Sequence, residues 1–386
     1  MIPLRRTIVV ALALVSILLP TVARGQTPPS VVTLKASTDH IRYGQSVRFF
    51  GKVDPAMNRQ QVDILDSDGD IRATAETGAD GRYETMLRPS DNDSYRAESN
   101  GVPSDQVHVR VQPLLNVHLG RVRLFDRATA RGRIRPGHHG GSMRLRLKRG
   151  GNTVAHRDIR LDGSWFKTHF KINKPGTYRV VASFDDHDHL AVADSSEGQT
   201  TPLPRLSAGS HGPYVERLER RLRQLGYHLD GVNKRFTYKT SDAVIAFNKV
   251  QGHARVTYVD AGTWRALADP VIPHPRFSSP RYHIEVDQTK QVLYVVKADK
   301  VIHILHVSTG AGSATRDGTF DFDRKLAGYS PHRLYYPSYF DGARAIHGWP
   351  DVPPTNASHG CVRVPMWAAT WIYGLVDIGD IIKIYH

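Results

Sequence analysis

The only cysteine of this chain, Cys361, lies in Ser358-His359-Gly360-Cys361-Val362-Arg363. A second histidine stands upstream, in Ala345-Ile346-His347-Gly348-Trp349. A thiol is a weak nucleophile until it is deprotonated, and an adjacent imidazole both lowers its pKa and takes its proton. Gly360 leaves the backbone beside Cys361 uncrowded, so a substrate carbonyl can approach. Backbone N–H groups in such a turn are suited to stabilising a tetrahedral oxyanion. This is equipment for acyl transfer by Cys and His, with no metal. The other reading of the same residues is a buried structural cysteine with two nearby histidines.

Such a pair needs a rigid support, and residues 281–386 are patterned as strands. Tyr282-His283-Ile284-Glu285-Val286 is one. Gln291-Val292-Leu293-Tyr294-Val295-Val296 and Val301-Ile302-His303-Ile304-Leu305-His306-Val307 form an expected hairpin, with Ala298-Asp299-Lys300 as the turn. Ile381-Ile382-Lys383-Ile384-Tyr385 closes the chain as another strand. The domain is expected to be mostly β.

The motifs in this domain closely resemble the L,D-transpeptidase family. Its pattern is His-Gly, a connecting loop, then Ser/Thr-His-Gly-Cys, an apolar residue and Arg or Asn. This chain supplies His347-Gly348 and Ser358 through Arg363. Val307-Ser308-Thr309-Gly310 and Asp317-Gly318-Thr319-Phe320 also resemble the family, although Thr315-Arg316-Asp317-Gly318 lacks its usual proline. The resemblance implies that Cys361 attacks the carbonyl of the third, diamino-acid residue of a tetrapeptide stem. D-Ala then leaves, and a side-chain amine of a second stem resolves the thioester into a 3→3 cross-link. It implies His347 as general base, oriented by the Gly348 carbonyl. His359 is a second candidate, because in an extended segment it points to the same side as Cys361. Ser358 would brace a histidine or the loop, and Arg363 would orient the site or pair with a substrate carboxylate. Tyr335, Tyr336 and Trp349 are donor-pocket candidates, with aromatic packing as the equal alternative.

Upstream, the period changes. Val215, Leu218, Leu222 and Leu225 follow the spacing of an amphipathic helix that Gly226 stops, with Glu219, Arg220, Arg221 and Arg223 on the expected solvated face. A second helix is expected from Thr240 through Phe247 and a third near Thr263-Trp264. With Asp230-Gly231 and Asp260-Ala261-Gly262, these positions resemble a small three-helix peptidoglycan-binding domain, although Asn248 stands where the family usually has Gln. Before it, Gly51-Lys52-Val53-Asp54-Pro55 recurs as Gly132-Arg133-Ile134-Arg135-Pro136. Asp80-Gly81-Arg82-Tyr83 recurs as Asp162-Gly163-Ser164-Trp165, and Ser94-Tyr95-Arg96-Ala97 as Thr177-Tyr178-Arg179-Val180. Three matches in one order argue for two copies of one module. Both copies resemble bacterial immunoglobulin-like domains.

At roughly 100–200 residues per domain, 386 residues imply two to four domains. The expected layout is a signal peptide over 1–25, immunoglobulin-like domains over 26–113 and 114–203, a linker and peptidoglycan-binding domain over 204–272, and the catalytic domain over 280–386. Arg5 and Arg6, the apolar run Thr7–Leu19 and Ala23-Arg24-Gly25 have the layout of a secretory signal, the alternative being an uncleaved anchor. Export to the wall, periplasm or medium makes nucleic acid an unsuitable partner for a chain with 52 Lys+Arg against 37 Asp+Glu. It favours stem peptides and glycan, with anionic wall polymers or a membrane surface as further partners. One cysteine excludes a disulfide framework and any multi-thiolate zinc site. No cofactor is expected. Arg131, Arg133 and Arg135 should share a strand face, read either as adhesive or as simply solvated. His138-His139, in a Gly-flanked turn, and Asp185-Asp186-His187-Asp188-His189 read as solvated loops rather than metal sites.

The expected activity is an exported L,D-transpeptidase. The alternatives are an L,D-carboxypeptidase or peptidoglycan hydrolase using the same site, or a non-enzymatic wall-binding protein.

Overall fold

A computed structural model describes residues 31–184 and 192–386. The expected export segment and the Asp185–His189 cluster lie outside these residues. No helix among the described residues is long and apolar enough to cross a membrane. The chain divides into two compact units, the first ending at Pro113 and the second beginning at Leu114.

In the first unit, two sheets enclose one core that includes Val47, Phe49, Val62, Ile64, Tyr95, Val109 and Val111. The second unit begins with a single six-stranded sheet dominated by the hairpin Asp126–Arg149 and Asn152–Ile172. The repeats correspond in the structure with a one-residue offset. Gly51 pairs with Tyr83 across two strands, whereas Gly132 pairs with Phe166, the residue after Trp165, which the repeat aligns with Tyr83. At either glycine a Cβ would collide with the neighbouring strand, at Thr33 O or Asn116 O. Each position therefore admits no side chain. The copies differ in continuity. Val47–Asp54 and Gln61–Leu65 are separate strands, whereas their counterparts run through as Asp126–Arg149, with bulges after Arg133 and His139. The expected turn at His138-His139 is therefore strand. His138 is buried against Phe184, at 4.5 Å between ring centroids, while His139 is exposed and bonded to Asp162. The bulges let the strand bend without breaking.

Three helices follow: α1 (Pro213–Gln224), α2 (Tyr238–Val250) and α3 (Ala261–Ala268). Val215, Leu218 and Leu222 are fully buried, and Gly226 takes the left-handed conformation (φ +89°) that ends α1. Glu219 is not on a solvated face. It is buried and accepts hydrogen bonds from the backbone N–H groups of Asn233 and Lys234 and from Thr240 Oγ1. Its carboxylate thus satisfies the loop entering α2, and Arg221 is half-buried with Nε on the Leu267 carbonyl. Thr237 and Thr240 form a capping box that starts α2 slightly earlier than expected, and Asp260 with Thr263 does the same for α3.

The C-terminal region has two sheets and a helix. We label its strands β1 (Tyr282–Asp287), β2 (Val292–Lys297), β3 (Lys300–His306), β4 (Gly318–Asp321), β5 (Arg324–Lys325), β6 (Tyr335–Asp341), β7 (Arg344–Trp349), β8 (Val362–Pro365) and β9 (Ile381–Tyr385). One sheet has the order β3-β2-β1-β9-β4 and the other β5-β6-β7-β8. Helix α4 (Met366–Leu375) packs on the second sheet. The β2–β3 turn is made by Ala298 and Asp299, both at positive φ, so Lys300 already belongs to the strand. On β2, Leu293 and Val295 enter the core between the sheets, while Val292, Tyr294 and Val296 join the core of α1–α3. A strand covered on both faces reads as an unbroken apolar run, as this one does.

Candidate active site

The site is built on β7 and β8, which run parallel with Ile346 opposite Val362 and His347 opposite Arg363. Ile346, Val362 and Val364 point into the core between the sheets. Alternation therefore sends Ala345, His347, Trp349, Cys361 and Arg363 to the other face. His347 and Cys361 are thus diagonal neighbours on two adjoining strands.

His347 is buried, and its Nδ1 lies 2.9 Å from the Gly348 carbonyl. A carbonyl oxygen only accepts, so Nδ1 carries the proton and Nε2 keeps its lone pair for proton transfer. Burial, helped by the Arg363 charge, holds the imidazole below its ordinary pKa, against the pull of the Gly348 bond. Trp349 meets the His347 ring edge-on at 5.6 Å, and the Arg363 guanidinium lies 5.0 Å from the Trp349 ring centre.

Cys361 is half-buried. Burial pushes its thiol above the ordinary value, opposed by the Ala345 N–H and the charges of Arg363 and Arg344. In both groups burial is the largest cause, and it favours the uncharged form.

The turn before Cys361 is tightly fixed. Ser358 Oγ donates to the Cys361 carbonyl at 2.6 Å and accepts from the Gly360 N–H at 3.1 Å. The Ser358 N–H donates to the Thr309 carbonyl, and Thr315 Oγ1 donates to the Gly360 carbonyl. Gly360 sits at φ +134°, where a Cβ would lie 3.0 Å from Arg344 Nε and 3.1 Å from the Ala314 carbonyl. The room beside Gly360 is therefore filled by Arg344 and is not a path for substrate. Its N–H is also committed to Ser358, so it is not an oxyanion donor in this state.

Arg344 itself escaped the sequence reading. Its Nε donates to the Ala314 carbonyl at 2.9 Å and Nη1 to Asp341 at 2.8 Å, and Asp341 also pairs with Arg316. This cluster packs behind the nucleophile turn and brings positive charge near the thiol. The only sequence signal was the departure Thr315-Arg316-Asp317-Gly318. His359 is exposed and bonds to no described residue; the chain is not extended at Gly360, so the same-side argument for His359 fails. Tyr336 takes a left-handed φ of +50° at a bulge and packs between Tyr335 and Tyr373 of α4. Its contacts are those of aromatic packing. Gly348 is required on that same side, since a Cβ there would meet Ala369 at 2.7 Å. Among the described residues, no three His, Cys, Asp or Glu side chains converge as a metal site.

Residues 281–384 match the YkuD family, described as the L,D-transpeptidase catalytic domain. Among solved structures, an L,D-transpeptidase from Xylanimonas cellulosilytica is 32% identical over 48% of this chain and 99% of that one, with a TM-score of 0.46. One from Stackebrandtia nassauensis is 25% identical over 48% and 98%, with a TM-score of 0.32. No curated protein matches the chain. Residues 281–384 are an L,D-transpeptidase catalytic domain, and through that domain the chain belongs to the L,D-transpeptidase family.

Proposed function

We propose that the chain is an exported enzyme that makes 3→3 peptidoglycan cross-links through a thioester on Cys361. One arrangement carries the reading: Cys361 and His347 share a face of β7 and β8, with His347 Nδ1 held by the Gly348 carbonyl. As the Cys361 sulfur bonds to the donor carbonyl carbon, its proton passes to His347 Nε2. The tetrahedral intermediate collapses, the bond to D-Ala breaks, and the same proton leaves on the departing amine. An acceptor amine then attacks the thioester carbonyl, giving up a proton to His347, and the C–S bond breaks as the sulfur takes that proton back from Nε2. Arg363 and Trp349 flank the donor. Gly348 orients the base, and Ser358 with Gly360 fixes the nucleophile turn. His359, which is exposed, serves as a substrate contact rather than as a partner of the thiol.

The upstream regions serve this site. Residues 204–272 are read as a peptidoglycan-binding domain and the two copies before them as immunoglobulin-like spacers. The basic strand face is supported as a surface for an anionic wall polymer. Arg131 and Arg135 point outward while Gly132 and Ile134 are buried, and Arg133 lies over Trp165, which is 71% exposed.

Incubation of the full chain with a disaccharide-tetrapeptide, followed by mass spectrometry, tests the activity. Dimers that have lost one D-Ala are expected, and none with Cys361→Ala. Tripeptide alone would mean that water is the acceptor. Unchanged substrate would overturn the reading.

A further inference from the structure

The loop from Asp351 to Ala357 joins the two halves of the site, with His347 before it and Ser358 and Cys361 after it. Its backbone is held largely from outside. Val352 O accepts from His306 Nε2 at 2.8 Å, Pro354 O from Arg255 Nη1 at 2.7 Å, and Thr355 O from Ser308 Oγ at 2.7 Å. Two of these three supports lead back to α2 and the loop that follows it.

Lys249, in the last turn of α2, is 3% exposed, and the acidic group whose charge acts on it, Asp242, accepts a hydrogen bond from Trp367 Nε1. Its ammonium instead has three acceptors: the Gln291 carbonyl at 2.8 Å, the Val307 carbonyl at 3.0 Å and His306 Nδ1 at 2.6 Å. The tautomer follows. Val352 O can only accept, so His306 carries its proton on Nε2 and offers a lone pair at Nδ1. Burial pushes Lys249 down to about 6. Three acceptors nonetheless require three protons, so the hydrogen-bond inventory decides for the ammonium. A second route starts from the same lysine. The Gln291 side chain accepts from the Thr309 N–H at 2.7 Å, and the Thr309 carbonyl accepts from the Ser358 N–H at 2.9 Å. Burying a cation on neutral acceptors is costly, and an apolar side chain would fill the space more cheaply. Its bonds nevertheless lead to both ends of the loop between base and nucleophile.

We propose that Lys249 is a positioning residue for the active site, acting through His306 on Val352 and through Gln291 and Thr309 on Ser358, so that the helical region sets the spacing of His347 and Cys361. The inference rests on these two being the reacting pair. A misplacement of about 1 Å can cost on the order of a hundredfold in rate.

The test uses the full chain with Lys249→Met, His306→Leu and His306→Gln. Glutamine restores one acceptor and one donor where leucine has neither. With disaccharide-tetrapeptide, Lys249→Met and His306→Leu should lower kcat by about tenfold or more with KM nearly unchanged, and His306→Gln should recover most of the loss. Amide hydrogen exchange should accelerate over 351–358 in the first two variants while β1 and β2 stay protected. Wild-type turnover with wild-type protection in His306→Leu would overturn the proposal, as would a loss that glutamine fails to restore. If Lys249→Met does not fold, the His306 pair decides. If the wild type itself is inactive, the reading of the site fails, while exchange over 351–358 still judges the tie.

Discussion

The burial that surrounds Cys361 and His347 with protein favours the uncharged form of each. Burial disfavours charge, which raises a thiol and lowers an imidazolium. Alkylation of Cys361 by iodoacetamide should therefore rise with pH through a midpoint above that of an ordinary thiol. His347 stays a competent base further into acid, so the acid limb of kcat/KM should fall below the ordinary histidine value. A Cys361 midpoint below the ordinary thiol value would mean a thiolate–imidazolium pair at rest and refute this electrostatic account. The candidate pair stood out in the sequence because a lone cysteine in Ser-His-Gly-Cys, with a His-Gly upstream, is chemically specific, and the structure brings the two residues to one face of adjoining strands. Its protonation state was not, since that depends on burial. Arg344 was invisible for a similar reason: its place behind Gly360 comes from the pairing of β6 and β7 and from no local pattern.

Among the elements, α1 shows where periodicity succeeds and where it fails. The spacing of Val215, Leu218 and Leu222 located the buried stripe. It also assigned Glu219, beside Leu218, to solvent, because a charged residue between apolar ones normally faces water. The three donors that hold Glu219 come from the loop after α1 and from α2, beyond any helical period. Glu219→Ala would leave buried N–H groups without an acceptor and should cost about 3 kcal/mol. Glu219→Gln, keeping one acceptor oxygen, should cost less. Urea unfolding measures both, and equal costs would show that the carboxylate is not the partner that matters. The β2–β3 hairpin was readable to within a residue, because an apolar run broken at Ala298-Asp299 leaves few alternatives.

For the whole molecule, the consequential surface is the outer face of β2 and β3. Val292, Tyr294, Val296 and Ile304 are nearly inaccessible because α1–α3 cover them. A fragment beginning near residue 275 would uncover all four. It should bind an apolar dye and melt well below a fragment beginning near residue 200, and equal melting temperatures would show the two regions to be independent. That the helices cover this strand face was not legible in the sequence, since a covered strand face and a covered core look alike there. One consequence concerns reach. Domains joined by a flexible tether sample a volume, and the tether's length sets the local concentration of one site around the other. Here α1–α3 pack directly on the outer face of β2 and β3, and the opposite face of β2 packs in the core beneath the strands that carry the cysteine. If the helices grip a glycan strand, the distance from grip to bond-forming thiol is fixed as on a ruler. The enzyme would then select stems by their place along the strand as well as by their chemistry.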